Sequence, residues 1–340
     1  MAVESVAPTV AEAPPPVAPA LAALDMNEIE DAAAAPTAPP PAGVAPPPGT
    51  TGLALALPRP PMPAPDSAPY SAPPTPDDAA DLPAWRRYAL PAPAALGRPT
   101  ISVVIDDMGV NLVQTARAVA LPGPLTLSWL PYAPHLAEQV AAGAAHGHET
   151  MLHLPVEALG RMDPGPETLR TWLPPATNLG YLKSALDKVP TAVALNQHEG
   201  SVGSLSVPLM DLVMGELRAR RMAFLDSLTI PRSVALSRAR AAGLPAVGRD
   251  LFIDNDPNPA AIRARLAEVE AIARQRGHAI LIGHPRATTM DVLGQYLPGL
   301  ATHGFVLWPL SATIVAETQM QVGSGPADGV VAPANLSGAE

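Results

Sequence analysis

The sequence contains no cysteine, so it offers no disulfide framework, no thiolate nucleophile and no cysteine-bound zinc. That absence suits cytoplasm and periplasm equally. Aromatic residues are only 4% of the chain, which leaves little stacking surface for a dedicated sugar-binding module. Charged residues are 15%, the net charge is −10 and sustained basic patches are absent, so nucleic acid is not expected as a partner. No apolar stretch is long enough to span a bilayer. The first residues lack a basic segment followed by an apolar core, so no signal peptide is read there.

Proline is abundant instead. Runs such as Pro14-Pro15-Pro16, Pro39-Pro40-Pro41 and Pro46-Pro47-Pro48 cannot form helix interiors or central strands. Residues 1–97 are therefore expected to be a disordered, semi-stiff Ala/Pro-rich spacer, and 317–340 a flexible tail. Trp85-Arg86-Arg87-Tyr88 interrupts the spacer and is read as a docking point. The folded part is placed at 98–316, the size of one barrel or doubly wound domain.

Within it, Ile101-Ser102-Val103-Val104-Ile105 reads as a strand buried on both faces, ending in Asp106-Asp107-Met108-Gly109. In α/β proteins ligands bind at that carboxyl edge. Because side chains alternate along a strand, the two carboxylates are expected to point different ways. Further strands are predicted at 125–130, 149–154, 192–195, 223–227, 278–285 and 305–308, with a strand or turn starting at 246. Helices are predicted at 111–120, 134–145, 179–188, 207–221, 233–242, 259–276 and 290–303. This alternation predicts a parallel α/β barrel of seven or eight strands.

Nearly every predicted strand ends in an acid or a histidine: Asp106 and Asp107, His153 with Glu157, His198 with Glu199, Asp226, Asp250 and Asp254, and His284. On one barrel face they converge, and a carboxylate with two imidazoles suits zinc or a similar divalent ion. Each also has an ordinary structural use. His153 fits a hydrogen-bonded core histidine, His198 a cap in a polar turn, and Arg249 with Asp250 a structural ion pair. The remaining histidines sit in connections or ahead of strands and are not assigned to the site.

Several segments, in this order, carry a resemblance. They are Ile105-Asp106-Asp107-Met108-Gly109, Gly147-His148-Glu149-Thr150-Met151-Leu152-His153-Leu154-Pro155-Val156-Glu157, Asn196-Gln197-His198-Glu199-Gly200-Ser201, Phe224-Leu225-Asp226-Ser227, Arg249-Asp250-Leu251-Phe252-Ile253-Asp254-Asn255 and Ile282-Gly283-His284-Pro285. Over residues 99–314 the chain resembles the divergent polysaccharide deacetylases (the YibQ-like group), a distant branch of the NodB-type carbohydrate esterases. The resemblance implies a deformed (β/α) barrel and metal-dependent removal of N-acetyl groups from a polysaccharide or peptidoglycan-type glycan. It makes Asp106 the general base, Asp107 and His153 metal ligands, and His284 the acid toward the leaving amine. The second histidine of the parent His-x-x-x-His motif falls on Glu157, so the third ligand is Glu157 or His198; imidazole suits zinc, which favours His198. Arg249 is the candidate for orienting Asp106. The resemblance also points to the periplasm or cell envelope, with envelope partners reached through the spacer. A tethered glycan-binding module is the alternative function, and a phosphoester hydrolase a third, for which only Arg249 and Arg286 are placed to bind phosphate.

Overall fold

The computed structural model describes residues 81–160 and 163–323. The spacer before residue 81 and the tail from 324 lie outside the described residues. Strand β1 (Thr100–Met108) is buried along nearly its whole length, as its continuous apolar run requires. Eight strands follow in chain order: β2 (Thr126–Trp129), β3 (Glu149–Val156), β4 (Ala194–Glu199), β5 (Ala223–Asp226), β6 (Ala246–Gly248), β7 (Leu251–Phe252), β8 (His278–Gly283) and β9 (Val306–Leu307). They form one parallel sheet in the order β6-β5-β4-β3-β2-β1-β8-β7, with β9 beside the first two residues of β1. The expected α/β barrel of seven or eight parallel strands is thus met by eight in a curled half-barrel, plus a short ninth.

The ends of the sheet meet in one segment. Arg249 N–H donates to Asp226 O at 3.0 Å, and Asp250 N–H donates to Ile280 O at 2.9 Å. Consecutive residues therefore bond to β5 and to β8, which lie toward opposite ends of the strand order.

Helices α1 (Ala84–Arg87), α2 (Leu112–Val119), α3 (Leu136–Ala145), α4 (Pro175–Lys188), α5 (Val207–Ala219), α6 (Ala235–Ala241), α7 (Pro259–Arg276), α8 (Ala287–Tyr296) and α9 (Leu310–Gly323) complete the described fold. Helix starts follow local chemistry: Asn111 Oδ1 caps Gln114 N–H at 3.1 Å, and Asn258 caps Ala260 N–H at 2.8 Å ahead of Pro259. One apolar cluster joins α2, α7 and α8 to Ile101, Val103, Ile105, Ala279 and Leu281. Another joins α4, α5 and α6 to Leu152, Leu154, Leu195 and Phe224. Residues of the opposite parity form the third: Val104, Met151, Ala194, Leu225, Ile280 and Ile282. The period of two separates the helix-covered face from the barrel interior.

Extending that inner parity to the carboxyl end reaches Asp106, Ser128, His153, Asn196 and His284. At the amino end it reaches Ser102, Thr126 and Glu149. There α9 plugs the barrel with Leu310 and Ile314. Its first amides donate from Leu310 to Thr126 Oγ1 at 3.1 Å and from Ser311 to Glu149 Oε2 at 3.0 Å. The interior is polar at both ends and apolar between them, with α9 over the amino end.

Both expected domain ends move outward. The last part of the 1–97 spacer is docked chain: Trp85 and Tyr88 pack on the interior cluster, and Trp308 Nε1–H donates to Pro93 O at 2.7 Å. Two aromatics in an Ala/Pro-rich stretch bring enough apolar area to hold it down. The tail expected from 317 begins inside α9, which continues to Gly323, and Glu317 pairs with His278 at 2.8 Å.

Candidate metal centre

The site starts with an irregularity in β1. Ile105 pairs with Leu127 but Met108 pairs with Trp129, so Asp106 and Asp107 together oppose one residue of β2. Asp107 takes a φ of 54° to make that bulge, a left-handed conformation costing about 1–3 kcal/mol for a side chain like this. The expected divergence of the two carboxylates does not occur. Asp107 Oδ1 lies 3.3 Å and Asp106 Oδ2 3.8 Å from the same atom, Nε2 of His153.

His153 rises from the inner face of β3. His198 lies in β4 with its partner Pro155, not in a turn. The run Asn196-Gln197-His198-Glu199 was polar enough to read as a loop, yet Asn196 and Gln197 are buried because the barrel mouth itself is polar. His198 Nδ1 lies 2.8 Å from Asp107 Oδ1 and 3.2 Å from His153 Nε2. Asp107, His153 and His198 are the group among the described residues able to hold a metal ion. Although two ring nitrogens crowd Asp107 Oδ1, neither is aligned to donate to it, and that buried oxygen has no hydrogen-bond donor. Three potential ligand atoms within reach of one another, with one carboxylate oxygen unsatisfied, fit a divalent cation.

The electrostatics agree. Burial works against a charged Asp107, but His153 and His198 hold its carboxyl well below the usual range. Burial, aided by Asp107, raises the carboxyl of Asp106 against the pull of His153, His284 and Asn196. Burial also opposes the His153 imidazolium, yet Asp106 and Asp107 push that ring up to about 9. A metal ion held there would compete with the proton for His153.

Across the mouth, His284 Nδ1–H donates to Asp254 Oδ1 at 2.9 Å. Asp254 Oδ2 accepts from His284 N–H and from Thr289 Oγ1, both at 2.8 Å. Burial opposes protonated His284, but Asp254 and, beyond it, Asp107 and Asp106 raise its pKa. Phe252 stacks on the His284 ring at 5.7 Å, and the Arg249 guanidinium lies 3.8 Å over Phe252.

The other candidates serve the scaffold. Glu157 Oε2 accepts from Thr171 N–H and Oγ1, both at 2.6 Å, and so anchors the loop after β3. Asp226 shares the outward parity of Phe224 and accepts from Gln197, Leu228, Ser233 and Leu236. Asp250 pairs with Arg276 and accepts from Ile280 N–H at 2.8 Å. Arg249 makes no hydrogen bond to Asp106; it donates to Ser227 O at 2.7 Å and Leu228 O at 2.8 Å. The residue that the sequence reading passed over is Asn196, wholly buried and bonded to Asp106, Ser128, His153 and Ser227. Its inward parity with Ala194 was the available signal.

The profile of the divergent polysaccharide deacetylases matches residues 103–314. The chain is 31% identical over 242 residues to the uncharacterized protein YibQ of Escherichia coli K12, covering 71% of this chain and 75% of that one. It is 29% identical over 193 residues to an uncharacterized protein of Haemophilus influenzae, covering 57% of this chain and 69% of the relative. A crystal structure of an uncharacterized Agrobacterium tumefaciens C58 protein shares the fold at TM-score 0.66 and 24% identity, covering 70% of this chain and 97% of that one. With its profile matched across the barrel and its strand-end acids and histidines gathered at one mouth, the chain belongs to the divergent polysaccharide deacetylase family.

Proposed function

We propose that this protein is a metal-dependent hydrolase that removes N-acetyl groups from a polysaccharide or peptidoglycan-type glycan. The observation that carries the reading is the unsatisfied Asp107 Oδ1 between two imidazole nitrogens, with a second carboxylate and an Asp–His pair on the same face. A divalent ion, zinc by the donor set, held by Asp107, His153 and His198 would polarise the acetyl carbonyl and acidify a water. Asp106 is the base that takes the proton from that water as its oxygen adds to the acetyl carbon. His284, kept protonated by Asp254, gives its proton to the glycan nitrogen as the carbon–nitrogen bond breaks. The products are acetate and a free amine.

A binding module would need aromatic platforms. Among the described residues the one exposed aromatic is Trp172, which favours catalysis over sugar capture. None of the described helices is long and apolar enough to cross a membrane. The family resemblance still favours the periplasm or cell envelope. The test is acetate release from N-acetylated glycans by zinc-loaded protein. Release that disappears in Asp106→Asn is expected. Metal-loaded protein that releases no acetate from chitooligosaccharides or peptidoglycan overturns the reading.

A further inference from the structure

We infer that Asn196 is a positioning residue that sets the tautomer of His153, and that its own orientation is dictated through Ser227 by a backbone carbonyl. The inference rests on the metal-centre reading and deepens it. The logic begins at a group with one chemical option. The carbonyl oxygen of Gln197 can only accept, so Ser227 Oγ, 3.1 Å away, donates to it. The Ser227 hydroxyl has one proton. Toward Asn196 its oxygen is therefore an acceptor, and the Asn196 atom 3.0 Å away is the donor Nδ2. The same Nδ2 faces both oxygens of Asp106 at 2.9 and 3.0 Å, which suits an acceptor-only carboxylate.

The amide's other end is then fixed. Asn196 Oδ1 accepts from Ser128 Oγ at 2.6 Å and faces His153 Nδ1 at 2.8 Å. An amide oxygen only accepts, so Nδ1 carries the hydrogen. In the neutral ring Nε2 is left as the electron-pair donor, and Nε2 is the atom facing Asp107 and His198. A carbonyl of β4 thus orients a metal-facing nitrogen on β3 through one hydroxyl and one amide. The same amide links the proposed base to the proposed ligand. Every hydrogen-bonding position of Asn196 is used, and the residue is fully buried, so the arrangement has one state.

The experiment uses the full chain loaded with zinc. Zinc affinity is measured by chelator competition, and the His153 ring nitrogens are observed by long-range proton–nitrogen NMR. Wild type is expected to show His153 with its hydrogen on Nδ1, protected from exchange. Asn196→Leu removes both amide ends at similar volume. It should lose that protected signal and bind zinc roughly 10- to 100-fold more weakly, the usual range for a lost partner behind a ligand. Ser227→Ala leaves the amide held at Nδ2 by Asp106 alone, and should weaken zinc binding by less than about 10-fold, below the range expected of Asn196→Leu. Folded Asn196→Leu with wild-type zinc affinity and an unchanged His153 signal overturns the inference. If Asn196→Leu does not fold, unchanged affinity and tautomer in Ser227→Ala overturn it. Wild-type protein that takes up no zinc, cobalt, nickel or manganese overturns the metal reading, and this inference with it. Uptake by wild type with no effect in the variants overturns this inference alone.

Discussion

Asp106 and Asp107 are neighbours in one strand, yet their carboxylates lie 3.8 and 3.3 Å from the same nitrogen of His153. Alternation should have sent them to opposite faces. The one-residue bulge and the positive φ of Asp107 bring them together. Their surroundings then separate their roles: Asp107 is held strongly ionised by two imidazoles, while Asp106 is raised by burial. The two asparagine variants should therefore differ. Asp107→Asn is expected to lose metal, measured by elemental analysis. Asp106→Asn should keep its metal and lose about 10²- to 10⁴-fold in acetate release, the usual contribution of a positioned base. Equal metal loss in both would remove the division of labour.

Metal removal gives a second prediction. Chelator-treated protein should melt at lower temperature than zinc-loaded protein, since zinc at 100 times its Kd adds about 2.7 kcal/mol to the folded state. His153→Ala should abolish that zinc-dependent rise. A melting point indifferent to zinc, cobalt, nickel and manganese in wild type would contradict the site.

Gly109 ties the bulge to the barrel wall. Its φ is +103°, and a Cβ there would sit 2.5 Å from the Cβ of Ala133. Its N–H donates to Thr115 Oγ1 at 3.0 Å and its carbonyl accepts from Gln139 Nε2 at 3.0 Å, so the segment cannot move aside freely. Gly109→Ala should cost about 1–3 kcal/mol by denaturant unfolding, from strain and overlap together. Zinc affinity should fall with it, because Asp107 is two residues away.

Much of this was legible in the sequence because burial on two faces leaves a plain signature. Strand β1 and helix α7 were readable from an apolar run and from Pro259 to Gly277. Where polar residues are buried, the same rules misled. The segment 196–199 looked like a loop, although it is the strand end carrying Asn196 and His198. Asp226 looked like a site carboxylate because it ends a strand, but its parity turns it outward onto α6. Glu157 matched the motif spacing and proved to be a loop anchor. Residue type at a strand end was informative; the face it takes depends on register, which one sequence does not print.

The Asp254–His284 pair sets a pH prediction. Asp254 raises the His284 pKa against the effect of burial, so His284 stays protonated to higher pH than a free imidazole. If His284 is the acid, activity falls as pH rises through that raised pKa. Asp254→Asn removes the charge, lowers the His284 pKa and moves the alkaline limb of the rate profile to lower pH. Asp254→Asn with an unshifted limb would assign that limb to another group. His284→Ala should lose about 10²- to 10⁴-fold in rate.

His148, just ahead of β3, should make stability itself pH-dependent. Its Nδ1 accepts from Leu125 N–H at 3.2 Å, and its other ring nitrogen, Nε2, lies 2.9 Å from Val119 O. The ring is therefore neutral with hydrogen on Nε2, and a second proton would go where Leu125 already donates. Burial lowers its pKa below the ordinary value of 6.5. The unfolded chain then binds the proton more readily than the folded one, and stability rises with pH wherever that holds. The contribution is fully present above about pH 6.5 and declines as pH falls through that value toward the depressed folded pKa. Glutamine can accept and donate at similar positions without titrating. His148→Gln should therefore flatten the fall in unfolding free energy between about pH 7 and about pH 5 by up to about 1.4 kcal/mol per pH unit. Parallel curves for wild type and variant would place the pH dependence elsewhere, with the buried pair Asp254 and His284 the next group to test.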